Sequence, residues 1–376
     1  SAFMAPTEIL AKQHFDTLLG ILSPLGLRIG LLTGAMTAKQ KRDVKTSLRN
    51  GEFDLIIGTH ALFSEDVEYP DLGLVVTDEQ HRFGVNQRSS LISKGDRPHV
   101  LVMSATPIPR TLALIIYGDL DISVIDELPP GRQKVDTFAV TESYRVRLNG
   151  FIRKLVSEGR QVFVVCPMIE ENEELPPNLK SAQEHAAELQ RYFPDLKVAC
   201  VHGKLKAKEK AEIMQAFVAG SIDILVSTTV IEVGVDVPNA ALMIIENADR
   251  FGLSQLHQLR GRLGRGKHKS YCVLVSDTDN EVSEARLKVM TQTNDGFKIS
   301  EEDLRLRGPG DFFGSRQHGL PAMHVADLCS DMNVLQTAQT AAQELLASDP
   351  ELEQPEHQAL KAAVDRLFEM NTDTIN

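Results

Sequence analysis

Leu72-Gly73-Leu74-Val75-Val76-Thr77-Asp78-Glu79-Gln80-His81 decides how this chain is read. A short unbroken apolar run that ends on charge suits a strand covered on both faces, as in a parallel sheet flanked by helices. The two adjacent carboxylates then stand at the strand's C-terminal end, where ligands gather in open α/β sheets. One carboxylate there can hold Mg²⁺ while its neighbour activates a water. A solvated strand end explains an acidic pair equally well, so the pair needs support from elsewhere in the chain.

The same pattern runs outward in both directions. Ser1-Ala2-Phe3-Met4-Ala5-Pro6 reads as the end of a strand, which suggests that more chain precedes it. Helices are expected over 7–22 and 39–49, and strands over 28–32, 53–57, 72–77 and 100–103. Pro129-Pro130-Gly131 reads as a linker, after which the alternation restarts. Strands follow over 162–166, 198–201, 222–226, 242–245 and 271–275, with helices over 183–192 and 209–219. Glu170-Glu171-Asn172-Glu173-Glu174 with Pro176-Pro177 reads as a solvated insertion. From about 281 the spacing turns helical, with packing helices over 332–347 and 356–370 and frayed residues after 371. The fold expected is α/β, with two parallel-sheet domains over 1–133 and 134–280 and a mainly helical segment over 281–376.

Composition sets limits. The 376 residues are 42% hydrophobic, enough for packed cores, and no run of about 18 apolar residues suggests a membrane span. Cys166, Cys200, Cys272 and Cys329 form no CxxC pair, which disfavours zinc and disulfides and suits a reducing cytoplasm. The net charge of −12 argues against nucleic acid taken alone. Basic residues nevertheless cluster at Lys204-Lys206-Lys208-Lys210 and Arg260-Arg262-Arg265-Lys267-Lys269, and local clusters matter more than the total.

Further segments at strand ends bear chemistry. Ser104-Ala105-Thr106-Pro107 places small hydroxyl groups where they can bridge the carboxylate box to neighbouring loops. In the stretch from His257 to Gly266, glycines alternate with arginines, so planar guanidinium forks can approach a phosphate closely. The same ten residues equally describe a basic loop on a nucleic acid backbone. Ser227 to Pro238 offers hydroxyls, the close approach of Gly234 and the carboxylate of Asp236, or simply a capped turn. Pro6-Thr7-Glu8 and Gly58-Thr59-His60 add hydroxyl donors, with Thr7 also suited to a helix N-cap.

In their order, these segments resemble motifs Ia, Ic, II, III, V and VI of superfamily 2 helicases. Asp78 to Val85 resembles the RecG form of motif II. Asn294-Asp295-Gly296-Phe297, Asp303 to Asp311 and Gly314-Ser315-Arg316-Gln317 resemble the translocation motif that RecG shares with the repair translocase Mfd. The resemblance implies two RecA-like domains and an ATP-dependent translocase on double-stranded DNA. Such a protein remodels stalled forks and Holliday junctions in repair and recombination. Asp78 is then the Mg²⁺ ligand, Glu79 the group that activates water, and Arg262 and Arg265 the groups on the γ-phosphate. Gly234, Asp236, His81 and Gln258 serve the nucleotide, and Thr7, Thr59, His60, Thr228 and Thr229 the DNA backbone. Arg286, Arg307 and Gln317 couple the motor to movement; without the family, Arg305 and Arg307 read as a solvated loop. The resemblance also implies a cytoplasmic monomer, with single-stranded DNA-binding protein as a partner.

One part of the motor has no counterpart in the chain. The phosphate-cradling loop reads G-x-x-x-x-G-K-S/T, and the Gly-Lys pairs here, Gly203-Lys204 and Gly266-Lys267, are followed by Leu and His. The family's wedge domain has no counterpart either. The chain alone is therefore expected not to hydrolyse ATP, the first sheet to lack a strand, and the second domain to be the more stable. Other readings are an Mfd-like transcription-repair translocase, a non-catalytic DNA-binding module and, less favoured, an RNA helicase of the same superfamily.

Overall fold

The computed structural model describes residues 1–79, 91, 94–106, 121–129, 131–167, 181–228, 237–307 and 332–372. The chain divides into two compact units, residues 1–107 with 128–294 and residues 108–127 with 295–376.

The first unit contains two parallel sheets. The first sheet is built from β1 (Ala2–Met4), α1 (Glu8–Leu22), β2 (Ile29–Leu32), α2 (Ala38–Arg49), β3 (Leu55–Gly58), β4 (Leu74–Thr77) and β5 (His99–Val102). Its strand order is β2-β3-β1-β4-β5, with every pairing parallel. Side chains alternate between faces along a strand. Ala2 and Met4 therefore join Leu32, Ile56 and Leu62 in one core, while Phe3 and Ala5 join Ala11, Ile57 and Val76 in the other. Pairing continues past the strand ends, with Ala5 N donating to Gly58 O and Asp78 N to Met4 O, both at 2.9 Å. Residues 5, 58 and 78 thus leave the sheet side by side.

The second sheet has strand order β6-β11-β10-β7-β9-β8. Its elements are β6 (Val135–Val140), α3 (Arg145–Ser157), β7 (Gln161–Val165), α4 (Ala182–Tyr192), β8 (Val198–Val201), α5 (Ala207–Val218), β9 (Ile224–Ser227), β10 (Ala240–Ile245), α6 (Leu253–Arg260) and β11 (Ser270–Val275). Every residue of β7, β9 and β10 is buried, which is why these strands are continuous runs of Val, Ile and Leu. On one face Val162, Val164, Ile224, Val226, Leu242 and Ile244 pack under Leu148, Ile152 and Leu155 of α3 and Leu189 of α4. The expected fold class holds. Sequence reading missed β6, α3 and α6. β6 is a half-exposed edge strand whose apolar run is interrupted by Asp136 and Thr137, and α3 and α6 break their apolar stripes with arginine, asparagine and glutamine. After the sheet, α7 (Glu281–Gln292) completes the unit.

The second unit contains α8 (Gly296–Arg307), α9 (Met332–Ser348) and α10 (Gln358–Thr372). Arg305 and Arg307 thus lie on a helix, not in a loop, and Arg305 pairs at 2.6 Å with Glu302 one turn earlier. The α9–α10 turn is tied by the Asp349 carboxylate, which accepts from Glu353 N and Gln354 N at 3.0 Å and contacts His357 Nδ1 at 2.8 Å. Among the described residues, no helix is long and apolar enough to cross a membrane.

Candidate functional site

The carboxylate box is held from three sides. Asp78 Oδ1 accepts from Glu79 N at 2.9 Å, and Asp78 Oδ2 lies 2.9 Å from His14 Nε2 on α1. The His14 ring in turn rests against Phe3 of β1, with centroids 4.6 Å apart. Glu79 has φ +50°, a left-handed conformation that a non-glycine residue adopts only when its surroundings impose it. Its Oε2 faces Ala105 N at 3.4 Å.

That contact begins a bridge. Ser104-Ala105-Thr106 follows β5 and folds on itself through Thr106 N and Ser104 Oγ at 3.2 Å. Thr106 Oγ1 then accepts from Gln258 Nε2 at 2.7 Å. The expected bridging role of the hydroxyl segment is therefore present, running from Glu79 to the glycine–arginine stretch. Gln258 is on α6, which ends at Arg260, so Arg262 and Arg265 lie on the turn beyond it, half-buried and exposed respectively.

Arg260, by contrast, is 2% exposed. Its guanidinium donates to Met290 O at 2.7 Å and Thr293 O at 2.8 Å, at the C-terminal end of α7. The last carbonyls of a helix cannot all be satisfied within it, so Arg260 caps the end of α7 from another element. Burial pushes its pKa down from the usual arginine value. Arg286, near the middle of α7, donates to Asp249 O and Phe251 O at 3.1 Å and to Ser283 Oγ at 2.9 Å. α7 is thus fastened on both sides of α6. Sequence reading assigned Arg286 to coupling but grouped Arg260 with the basic residues of the glycine–arginine stretch, and nothing in that pattern marked it as buried.

A second arginine site also escaped the sequence. Arg145 at the start of α3 makes a bidentate pair with Glu246 at the end of β10, both contacts 2.7 Å, while also bonding Glu142. His185 Nε2 lies 3.3 Å from Glu246. Burial raises the pKa of Glu246, but the hydrogen bonds from Arg145 and the nearby His185 ring outweigh it and hold the carboxyl at about 2.

The strand-end hydroxyls divide by role. Thr7 is the N-cap of α1, its Oγ1 accepting from Leu10 N at 3.3 Å. Thr59 Oγ1 and Thr228 Oγ1 are buried without a hydrogen-bond partner among the described residues, and such orphans mark places where a ligand can complete the bonding. His60 is exposed beside Thr59. Arg307 ends α8. His81, Thr229, Gly234, Asp236 and Gln317 lie outside the described residues. Burial raises the thiol pKa of Cys166, and lifts Cys272 to about 12, so these thiols stay protonated.

Comparison with known proteins agrees along the chain. The DEAD/DEAH box helicase family matches residues 1–115, the helicase conserved C-terminal domain 147–267, and domain 3, C-terminal, of the ATP-dependent DNA helicase RecG 293–376. The ATP-dependent DNA helicase RecG of Synechocystis is 50% identical over 370 residues, covering 98% of this chain and 44% of that protein. RecG of Bacillus subtilis is 47% identical over 365 residues, covering 96% of this chain and 53% of that protein. A solved structure of RecG bound to a three-way DNA junction superposes with a TM-score of 0.70 at 48% identity, covering 89% of this chain and 43% of that one. The chain spans about half the length of the relatives it matches. With identity of 47–50% over 365–370 residues, the chain belongs to the RecG family of helicases.

Proposed function

We propose that this chain is the motor portion of an ATP-dependent translocase that remodels branched double-stranded DNA. On this reading its domains run over 1–133, 134–280 and 281–376. The observation that supports it best is the bridge from Glu79 through Ala105 and Thr106 to Gln258, because it connects groups suited to water activation with a turn suited to phosphate. Asp78 fits Mg²⁺, a hard cation commonly held by one or two carboxylates together with nucleotide phosphates and water. When bound, Mg²⁺ neutralises phosphate charge. Glu79 orients and deprotonates the attacking water. Arg262 and Arg265 stabilise charge developing on the γ-phosphate, as arginines supplied across a cleft do in phosphoryl transfer. Gly234, Asp236, His81 and Gln258 bind the nucleotide or relay its state. Thr7, Thr59, His60, Thr228 and Thr229 contact the DNA backbone, Arg286, Arg307 and Gln317 relay movement, and binding falls steeply with salt. The protein acts as a cytoplasmic monomer, alongside single-stranded DNA-binding protein.

The phosphate loop has no match in this sequence, so the chain alone binds DNA without hydrolysing ATP. The test measures phosphate release on forked DNA for the full-length protein and for the 376-residue chain, each with Glu79→Gln. Activity is expected in the first and lost with Glu79→Gln. DNA-stimulated, Glu79-dependent hydrolysis by the chain alone refutes its inactivity. Hydrolysis by the full-length protein that survives Glu79→Gln refutes the site.

A further inference from the structure

The grip on Asp78 comes from two different elements. Asp78 Oδ1 accepts from Glu79 N, the next amide along the chain, at 2.9 Å. Asp78 Oδ2 lies 2.9 Å from His14 Nε2, contributed by α1. One contact on each oxygen fixes the plane of the carboxylate as well as its position. An ionised carboxylate only accepts, so in that state Nε2 carries the hydrogen and donates it. Each carboxylate oxygen offers two lone-pair directions, so both keep one for a cation.

His14 is itself held. Its ring rests on Phe3 with centroids 4.6 Å apart and planes inclined at 45°. Phe3 is buried in β1 and pairs with Val76 of β4, two residues before Asp78. The pairing runs on to Asp78, whose N donates to Met4 O at 2.9 Å. Donor ring, acceptor carboxylate and two adjacent strands thus close one loop. The His14 and Asp78 side chains are 29% and 19% exposed, so the contact is partly shielded while the carboxylate stays within reach of a ligand. Packing on Phe3 calls only for a flat ring; the nitrogen aimed at Asp78 is what packing does not require.

We propose that His14 is a positioning residue for Asp78, fixing the carboxylate that takes Mg²⁺. It acts through Asp78 and is not itself a ligand. Carboxylates that ligate metals are themselves hydrogen-bonded, and losing such an outer partner costs about tenfold to a hundredfold in metal affinity or activity. The proposal rests on the functional reading above and deepens it, because it ties the metal site to α1, the helix capped by Thr7.

The test measures by calorimetry the affinity of the full-length protein for a non-hydrolysable ATP analogue, once with Mn²⁺ and once in chelator. The ratio of the two affinities is the metal's contribution. His14→Phe keeps a ring on Phe3 and removes the donor, whereas His14→Gln keeps a donor. His14→Phe should lower the ratio by roughly tenfold or more. Affinity in chelator should stay within about twofold, since the lost contact reaches the nucleotide only through the metal. The Mg²⁺ concentration for half-maximal hydrolysis on forked DNA should rise by a similar factor, and His14→Gln should recover part of both effects. A packing role gives the reverse, with His14→Phe behaving as the native protein and His14→Gln impaired, and overturns the proposal. Equal loss of affinity with and without metal overturns it too. If His14→Phe does not fold, His14→Leu takes its place against His14→Gln. A ratio that survives Asp78→Asn overturns the functional reading of Asp78 and this proposal with it. A ratio lost in Asp78→Asn and intact in His14→Phe overturns this proposal alone.

Discussion

The two sheets of the first unit share one construction and differ in how fully their strands are covered. In the second sheet the inner strands β7, β9 and β10 are buried at every residue. In the first, β5 pairs only with β4 among the described residues, and Val100 and Leu101 on it are 38% and 51% exposed. A parallel strand is normally covered on both faces and rarely leaves apolar residues in water. The comparison teaches that burial and chemistry are unevenly shared. Both sheets end in edge strands, of which β5 is the most exposed; the carboxylate box stands on the sheet that β5 edges and the arginine turn on the other.

Paired truncations offer the most direct way to break this comparison. Phe163 in β7 is 1% exposed and packs on Phe217 with ring centroids 4.9 Å apart. Phe163→Ala should destabilise the second sheet by about 3–5 kcal/mol, whereas Leu101→Ala in β5 should change stability by roughly 0.5 kcal/mol or less. Denaturant midpoints of the two variants measure this, and equal losses would remove the distinction between the sheets. Limited proteolysis gives an independent reading: residues 1–130 should be lost before residues 134–280.

The Arg145–Glu246 pair sharpens the comparison through pH. The Glu246 carboxyl is depressed from 4.5 to about 2, so the folded state binds its proton less readily than the unfolded state. Its contribution is present above about pH 4.5 and disappears as pH falls toward 2. Acid unfolding followed in the native chain and in Glu246→Gln should show a shallower acid limb in the variant and lower stability at neutral pH. An unchanged acid limb would mean that other carboxylates govern acid unfolding of the second sheet.

The sequence made the strands legible because buried parallel strands are unbroken apolar runs, and it made the site legible because strand ends carry the chemistry. What escaped it depends on distance. Arg145 and Glu246 are 101 residues apart, and Arg260 reaches carbonyls 30 and 33 residues away, so no local pattern betrays either bond. Composition even misled, since an arginine among arginines reads as phosphate-facing and Arg260 is instead the buried one. His14 was hidden for a different reason: it occupies a helix position whose only sign of function is the carboxylate on another element.

Thr7 gives the smallest effect and separates two roles held by one hydroxyl. As N-cap of α1 it satisfies Leu10 N, and on the proposed reading it also contacts DNA. Thr7→Ala removes both and should lower stability by about 1 kcal/mol. Thr7→Asp keeps a capping oxygen and places negative charge at the positive end of the helix, so stability should remain within about 0.5 kcal/mol of the native chain. The same charge repels phosphate, so DNA affinity should fall, and fall further at low salt where screening is weak. Thermal unfolding and salt-dependent DNA binding of the two variants measure the separation. If Thr7→Asp binds DNA as the native chain does at low salt, Thr7 is a cap and nothing more, and the DNA path along the first sheet must begin at Thr59.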